Sequence, residues 1–479
     1  MAPVRTRFAP SPTGYLHIGG LRTALYEFLF AKSQEGSFVL RIEDTDKNRF
    51  VPGATESLCR ILKIFNLGWD EGPEVDGPYF PYIQSQRVAS GIYKRYAEQL
   101  LSGGHAYYCF CPPQTKDQIK QSHAAKQLIL RDPCRNLTRA EVNDHLKRGE
   151  NPAIRLRLPD NETVAFHDFI LKKDISWNTK NVDEVMLLKS DGFPTYQLAV
   201  VVDDATMKIS HIIRALEWLP STPVHLLLFK YFGFAQPQIG HVTDILDPSG
   251  GKLSKRKGNV SCEDFLAQGY LPEAILNFIL LCGWAPKDNR EIFSLDEMVS
   301  HFAEGNFQTA HAIFNVKKLN WFNGYYLRQK AEPDLINLLR PYAPPGATGG
   351  ELARILPLIR QRIEKLSDFI PLAGFFWERP SVTPDLFSDP NAAGHLSQAL
   401  VSLSDILKWS AASINAVLQP LPEKFGWNTG DFFMTLRLAI TGNRVTPPLS
   451  ESLEILGKEE TTRRVGEALA TLNIHKEET

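Results

Sequence analysis

His17, Gly19 and Gly20 are the first residues in this chain whose types and spacing suit chemistry. They stand between a short apolar-leaning run at residues 6–9, closed by Pro10, Pro12 and Gly14, and a stretch where Leu21, Leu25, Phe28 and Leu29 recur at helical spacing. The first pattern predicts a strand running into a loop, and the second predicts a helix with one buried face. Glycines at such a turn let a ligand approach the backbone. The free N–H groups and dipole of a helix start favour phosphate there. Read alone, the segment fits any nucleotide site, and a lone histidine after a proline-rich loop is usually structural.

Two other sets add charge of each sign. Residues 38–42 form an apolar run of the kind found in strands buried on both faces, and Glu43, Asp44 and Asp46 follow it. Strand, helix and strand in this order predict a right-handed crossover, with ligands at the carboxyl ends of the strands. Far downstream, KLSKRK at residues 252–257 lies between glycines. It suits a phosphate chain and equally a solvated basic turn.

His17-Ile18-Gly19-Gly20 resembles the HIGH signature of class I aminoacyl-tRNA synthetases, with Gly20 in the last position. Lys252-Leu253-Ser254-Lys255-Arg256 resembles their second signature, KMSKS. With RFAPSPTG at residues 7–14 and RIEDTD at residues 41–46, the chain resembles glutamyl-tRNA synthetases of bacterial or mitochondrial type. The resemblance covers nearly the whole chain and is most specific up to about residue 330.

The resemblance implies an α/β fold: a Rossmann-type parallel-sheet catalytic domain with an α+β insertion, then an all-α anticodon-binding region. The expected boundaries are 1–86 and 190–250 for the two catalytic halves and 87–189 for an insertion that holds the tRNA acceptor end. Residues 251–330 would carry the KMSKS-type loop and contact the tRNA stem, and 331–479 would bind the anticodon. The many short strands of a glutaminyl-type C-terminal β-barrel are missing from the pattern.

The implied reaction has two steps. Glutamate attacks ATP to give glutamyl-adenylate, and the terminal ribose hydroxyl of tRNA(Glu), or also tRNA(Gln), then takes the acyl group. Charge develops on phosphate oxygens, so imidazole, ammonium and backbone N–H donors are the fitting tools. By resemblance His17, Lys252 and Lys255 are catalytic, while Thr13, His17, Gly19, Gly20, Glu217 and Lys255 bind ATP, which enters with Mg2+. Glutamate needs two cations and one anion, and a guanidinium can grip a carboxylate with two donors. The implied set is Arg7, Ala9, Ser11, Glu43, Tyr196 and Arg214. Arg7 and Ser11 would lie at the α-carboxylate side and Glu43 at the α-ammonium. Arg214 would pair with the side-chain carboxylate, with Tyr196 closing the pocket. The bland alternative pairs Arg214 with Glu217 across one helical turn. Val200 and Leu216 depart from the family, which often has asparagine and an acid at these positions.

Cys109, Cys111 and Cys134 resemble a zinc site of some relatives, but Asn136 occupies the position of its histidine and asparagine is not a normal zinc ligand. His123 could take that place. Three thiols with an uncertain fourth partner favour reduced structural cysteines over zinc. Arg360, Arg362, Arg437 and Arg444 are candidate anticodon contacts, though each also fits a solvated helix face.

The 479 residues exceed what one core organises, and a 43% apolar, 22% charged composition is that of a soluble globular protein. Net charge is −1, so a nucleic-acid partner would need a local basic surface. Six cysteines do not make a disulfide scaffold, and no cationic apolar leader precedes Arg5. The expectation is a monomer in the cytoplasm. Further patterns predict helices over 54–65, 87–101, 138–148 and 225–234, short strands within 153–158 and 163–169, and central strands within 185–205 and 210–218, ending at Asp203-Asp204 and Arg214. In the last third, residues 355–370 are expected on one helical element and 460–472 on a final helix.

Overall fold

The computed structural model describes residues 3–112, 133–253 and 260–478. The chain divides into two compact units: Met1–Phe265 with Ile275–Asn315, and Leu266–Ala274 with Val316–Thr479. No helix among the described residues is long and apolar enough to cross a membrane.

In the first unit β1 (Arg5–Phe8) pairs in parallel with β2 (Ser37–Leu40), in register from Arg5 opposite Ser37 to Phe8 opposite Leu40. Their crossover is α1 (Ile18–Lys32). The expected single apolar face of α1 is too narrow a description. Leu21, Leu25 and Leu29 are buried, and so are Ala24, Tyr26, Phe30, Arg22 and Glu27, so the helix is covered on most sides. Its two buried charges sit among main-chain acceptors and other ions, as burial demands. Gly19 and Gly20 also belong to the first turn of α1, and not to the loop before it. A side chain at Gly20 would meet Leu16 at 2.8 Å, so its lack of a Cβ serves packing.

Next come α2 (Ala54–Ile64), α3 (Gln84–Val88) and α4 (Ile92–Ser102). The helix expected over 87–101 is broken because Gly91 adopts φ +70°, a left-handed conformation that glycine tolerates. The insertion then gives β3 (Ala106–Cys109), α5 (Arg139–Lys147) and β4 (Ala153–Leu156). A hairpin follows, β5 (Thr163–Asp168) against β6 (Lys173–Asn178), and then β7 (Met186–Leu188). Strands β3, β4 and β7 form an antiparallel sheet.

Residues 185–205 were expected as central strand. Only β7 is strand there, and α6 (Tyr196–Thr206) is a helix. Leu198 to Asp204 are buried without a break in α6, so no polar face reveals the helical period. The strand expected within 210–218 is β8 (His211–Ala215), which pairs in parallel with β9 (Gln238–Val242) after the helix α7 (Thr222–Phe232). Strand β5 joins β9 where Asp168 faces Ile239, giving the order β6-β5-β9-β8. The Ser210 amide donates to the Arg5 carbonyl at 2.9 Å and sets β8 beside β1. The carboxyl ends of β1 and β8 thus carry Arg7 and Arg214 to one side.

In the second unit every regular element among the described residues is helical. Leu396, Leu403, Ile414, Phe432, Leu436, Leu453 and Val465 form its core. The single element expected over 355–370 is interrupted. The helix Gly349–Ile359 ends, and the Asp368 carboxylate accepts from the amides of Glu364 and Lys365 to start a new turn. The final helix is longer than expected, Lys458–Glu478.

Candidate active site

A cavity of about 560 Å³ opens in the first unit. Arg7, Ala9, Ser11, Thr13, His17, Gly19, Gly20, Glu43, Tyr196, Arg214, Glu217 and Lys252 all line it. Lys255 lies outside the described residues, as do Arg256 and Lys257. Two departures from the expected pattern do not reach the wall: Val200 is packed in the core, and Leu216 is not among the lining residues.

His17 is the cap of α1. It holds extended backbone angles while its Nδ1 accepts from the Gly20 amide at 3.1 Å. The ring packs against Gly19, where a Cβ would approach Nδ1 to 3.1 Å. The chain after the lysine loop returns to this point. The Ile18 amide donates to Val260 O and the Cys262 amide to Leu16 O, both at 2.9 Å. The turn at His17 is therefore tied by backbone pairing to the segment that follows the lysine loop, and a helix start with its N–H groups faces the cavity.

The floor is a network of buried ions. Arg7, 5% exposed, is 3.1 Å from Asp204 and 3.3 Å from Glu27. Asp204 Oδ1 also accepts from Arg41 at 2.7 Å, and Arg41 donates to Glu43 Oε1 at 2.9 Å. Burial pushes the Glu43 carboxyl up to about 7 despite Arg41 and Arg7. Burial likewise lifts Glu27, to about 8, and its buried Oε2 has no hydrogen-bond partner among the described residues. For Asp204 burial is outweighed by the two guanidinium groups, so its carboxyl lies below the ordinary range. Asp203 turns the other way, to Arg87 at 2.8 Å, Gln84 at 2.9 Å and Tyr93 at 2.9 Å. The sequence reading missed Arg41, Asp204 and Glu27 as parts of the site. Its signal was present in Asp203-Asp204, two acids in an apolar run that must find cations.

Arg214 sits on β8, 5% exposed, with a different set of partners. It donates to Thr222 Oγ1 at 2.8 Å, to His241 Nε2 at 3.0 Å and to His225 Nδ1 at 3.0 Å. Among the described residues its hydrogen-bond partners include no carboxylate, and burial draws its pKa down. The alternative pairing with Glu217 is excluded by the strand geometry and by that residue's own partner, Lys252 at 2.6 Å. Tyr196, its phenol raised to about 12 by burial, lies against Trp218 with ring centres 4.5 Å apart. Trp218 is a wall residue that no motif or spacing singles out.

The cavity thus offers a helix start and an imidazole for phosphate, a buried acid, and two guanidinium groups. One of those groups, Arg214, has no carboxylate hydrogen-bonded to it among the described residues. That arrangement can bind a zwitterion carrying a second carboxylate next to a nucleotide.

Elsewhere, Cys109, Cys111 and Cys134 bring their sulfur atoms within 4.8 Å of one another, the only set of three or more metal-ligating side chains among the described residues. The Phe110 amide points to Cys134 Sγ at 3.4 Å. Three thiols fit three corners of a tetrahedral site. His123 lies outside the described residues. In the second unit Arg360 donates to the carbonyls of Arg328 and Lys330, and Arg437 to those of Thr446 and Pro447. These two arginines close helix ends and turns, whereas Arg362 and Arg444 are exposed.

Comparison with known proteins gives a consistent result. Residues 3–321 match the family described as tRNA synthetases class I (E and Q), catalytic domain, and residues 334–469 match an anticodon binding domain. A glutamate–tRNA ligase of Borreliella burgdorferi is 40% identical, over 98% of this chain and 99% of its own. One of Treponema denticola is 38% identical, over 98% and 99%. A glutamate tRNA ligase of Elizabethkingia meningosepticum, solved in complex with its amino acid, superposes with a TM-score of 0.82 at 34% identity, over 98% of this chain and all of the other.

Proposed function

The chain belongs to the class I tRNA synthetases of the E and Q family, and from that premise we propose that it is a glutamate–tRNA ligase. It would join L-glutamate to ATP through the α-carboxylate, releasing diphosphate, and pass the glutamyl group to the 3′ end of tRNA(Glu), releasing AMP. The alternative within this reading is an enzyme that also accepts tRNA(Gln). The reading extends to a monomer working in the cytoplasm, where charged tRNA is consumed.

The observation that carries the choice of glutamate is the surroundings of Arg214. A buried guanidinium whose hydrogen-bond partners among the described residues are neutral is a site suited to an anion, and the glutamate side chain supplies one. We assign the α-ammonium to Glu43, and the α-carboxylate to the side bearing Arg7 and Ser11. An uncharged glutamine side chain would leave Arg214 buried and uncompensated, which disfavours the glutaminyl reading. The all-helical second unit disfavours it as well.

His17 would donate to the phosphate chain while the cap holds its ring in place, and Glu217 would take the ribose hydroxyls. Lys252 and Lys255 would stabilise charge on the leaving diphosphate. Mg2+ would arrive with the nucleotide. It is a hard ion that phosphate oxygens satisfy, and the cavity needs no carboxylate cage to receive it. Residues 87–189 would hold the acceptor end, 251–330 would reach the stem, and 331–479 would bind the anticodon. The cysteine trio takes no part in the reaction proposed. A direct test follows AMP release in mixtures lacking one component. Release that needs glutamate and tRNA(Glu) together supports the ligase, and release driven by glutamine instead would overturn it.

A further inference from the structure

Arg214 can only donate hydrogen bonds, so every nitrogen that faces it must present a lone pair. Two do. Nε2 of His241 and Nδ1 of His225 each lie 3.0 Å from a guanidinium nitrogen. The proton of each ring must then sit on the far nitrogen, and each far nitrogen has its own acceptor. His241 Nδ1 is 2.6 Å from Asp168 Oδ2, and His225 Nε2 is 2.6 Å from Gln197 Oε1. Asp168 and His241 are fully buried and His225 is 3% exposed. We propose that His225 and His241, with Asp168 behind the latter, are positioning residues. They are two neutral imidazoles, each locked in one tautomer, which fix Arg214 without cancelling its charge. The inference rests on the reading of Arg214 as the grip on the substrate carboxylate, and adds how that grip is kept charged and aimed.

The alternatives to imidazole show why this arrangement matters. A carboxylate in either place would orient Arg214 as well, but would neutralise it and remove the reason to prefer an anionic side chain. A protonated imidazole would turn a donor toward a donor beside a cation. Burial opposes that state, holding His225 well below and His241 below the usual imidazole range. Asp168 is committed to its task from both oxygens. Its Oδ1 accepts from the amides of Leu171 at 2.9 Å, Ile170 at 3.1 Å and His241 at 3.2 Å.

That last detail supplies the test. In D168N the amide oxygen stays with the three backbone donors, so the amide NH2 faces His241 Nδ1. The His241 proton is driven to Nε2, against Arg214. We expect D168N to raise the KM for glutamate by about tenfold or more, with the KM for ATP and the melting temperature little changed. H225L should raise the glutamate KM in the same way, and H225Q, whose amide oxygen accepts in place of the ring nitrogen, should recover most of that loss. Histidine tautomers read by 15N NMR in the unsubstituted protein, with selective histidine labelling, should show His241 protonated at Nδ1 and His225 at Nε2. The opposite tautomers, or charged rings near pH 7, would overturn the proposal. So would a glutamate KM that D168N and H225L leave unchanged, or a loss shared equally by glutamate and ATP. The NMR result is independent of activity, so a chain that did not charge tRNA with glutamate would defeat the ligase reading without deciding this one.

Discussion

The ammonium of Lys252 lies 2.6 Å from a carboxylate oxygen of Glu217, a pairing across 35 residues of sequence. Asp244 adds a second carboxylate at 3.1 Å. Burial alone would lower the lysine pKa, but hydrogen bonds to both acids outweigh it, so the side chain stays charged. In the proposed reaction Glu217 serves the ribose and Lys252 the phosphates, so a nucleotide must come between them. The two substitutions should then separate kinetically. Glu217→Gln should raise the KM for ATP by about tenfold, and Lys252→Ala should lower kcat by about 10²-fold. Equal effects of both on the same constant would count against this division of labour.

Truncation of Arg214 should act on glutamate above all. Arg214→Ala leaves a substrate carboxylate in a buried site without its cation, a loss of about 3–5 kcal/mol, or about 10²- to 10⁴-fold in kcat/KM for glutamate. Steady-state charging at saturating ATP measures it. A loss of less than about tenfold would remove Arg214 from its central place.

Much of this architecture was legible in the sequence, and the failures have physical causes. Strand β1, helix α1 and strand β2 follow from apolar spacing and the proline-glycine breaks between them. Every candidate catalytic, glutamate-binding or ATP-binding residue among the described ones lines the same cavity. What could not be read was α6, because burial on all sides erases the period that separates helix from strand. Nor could spacing reveal that Asp204, far along the chain, bridges Arg7 and Arg41. Ion pairs between distant segments leave no local pattern. The histidines behind Arg214 were invisible for the same reason.

Glu43 should set the pH dependence of glutamate use. Burial lifts its carboxyl to about 7, and only the ionised form can hold the substrate ammonium. kcat/KM for glutamate should rise through a one-proton step centred near 7 and level off above it. Glu43→Gln should lower the plateau and abolish the step. A profile that is flat from about pH 6 to 8 in the unsubstituted protein would speak against Glu43 as the ammonium partner.

Glu27 should instead mark stability. Its unfolded carboxyl ionises near the ordinary 4.5, and the folded one, buried in α1, near about 8. Between these values the unfolded chain has lost a proton that the folded chain keeps, so this group reduces stability progressively as pH rises through the window. Glu27→Gln removes that dependence while keeping an oxygen for the Ile213 amide, which now donates to Glu27 at 2.7 Å. The melting temperature of the variant relative to the unsubstituted protein should climb between about pH 5 and pH 9. A difference that stays constant across that range would show that Glu27 is ionised in the fold throughout.

The most direct measurement is aminoacylation with labelled glutamate, with tRNA(Glu) and tRNA(Gln) transcripts offered separately and glutamine as competitor. The account predicts glutamate on tRNA(Glu), unaffected by glutamine. Charging of tRNA(Gln) as well would mark a less discriminating enzyme of the same specificity for the amino acid. Transfer of glutamine, with neither tRNA accepting glutamate, would contradict the assignment of Arg214 and the function built upon it.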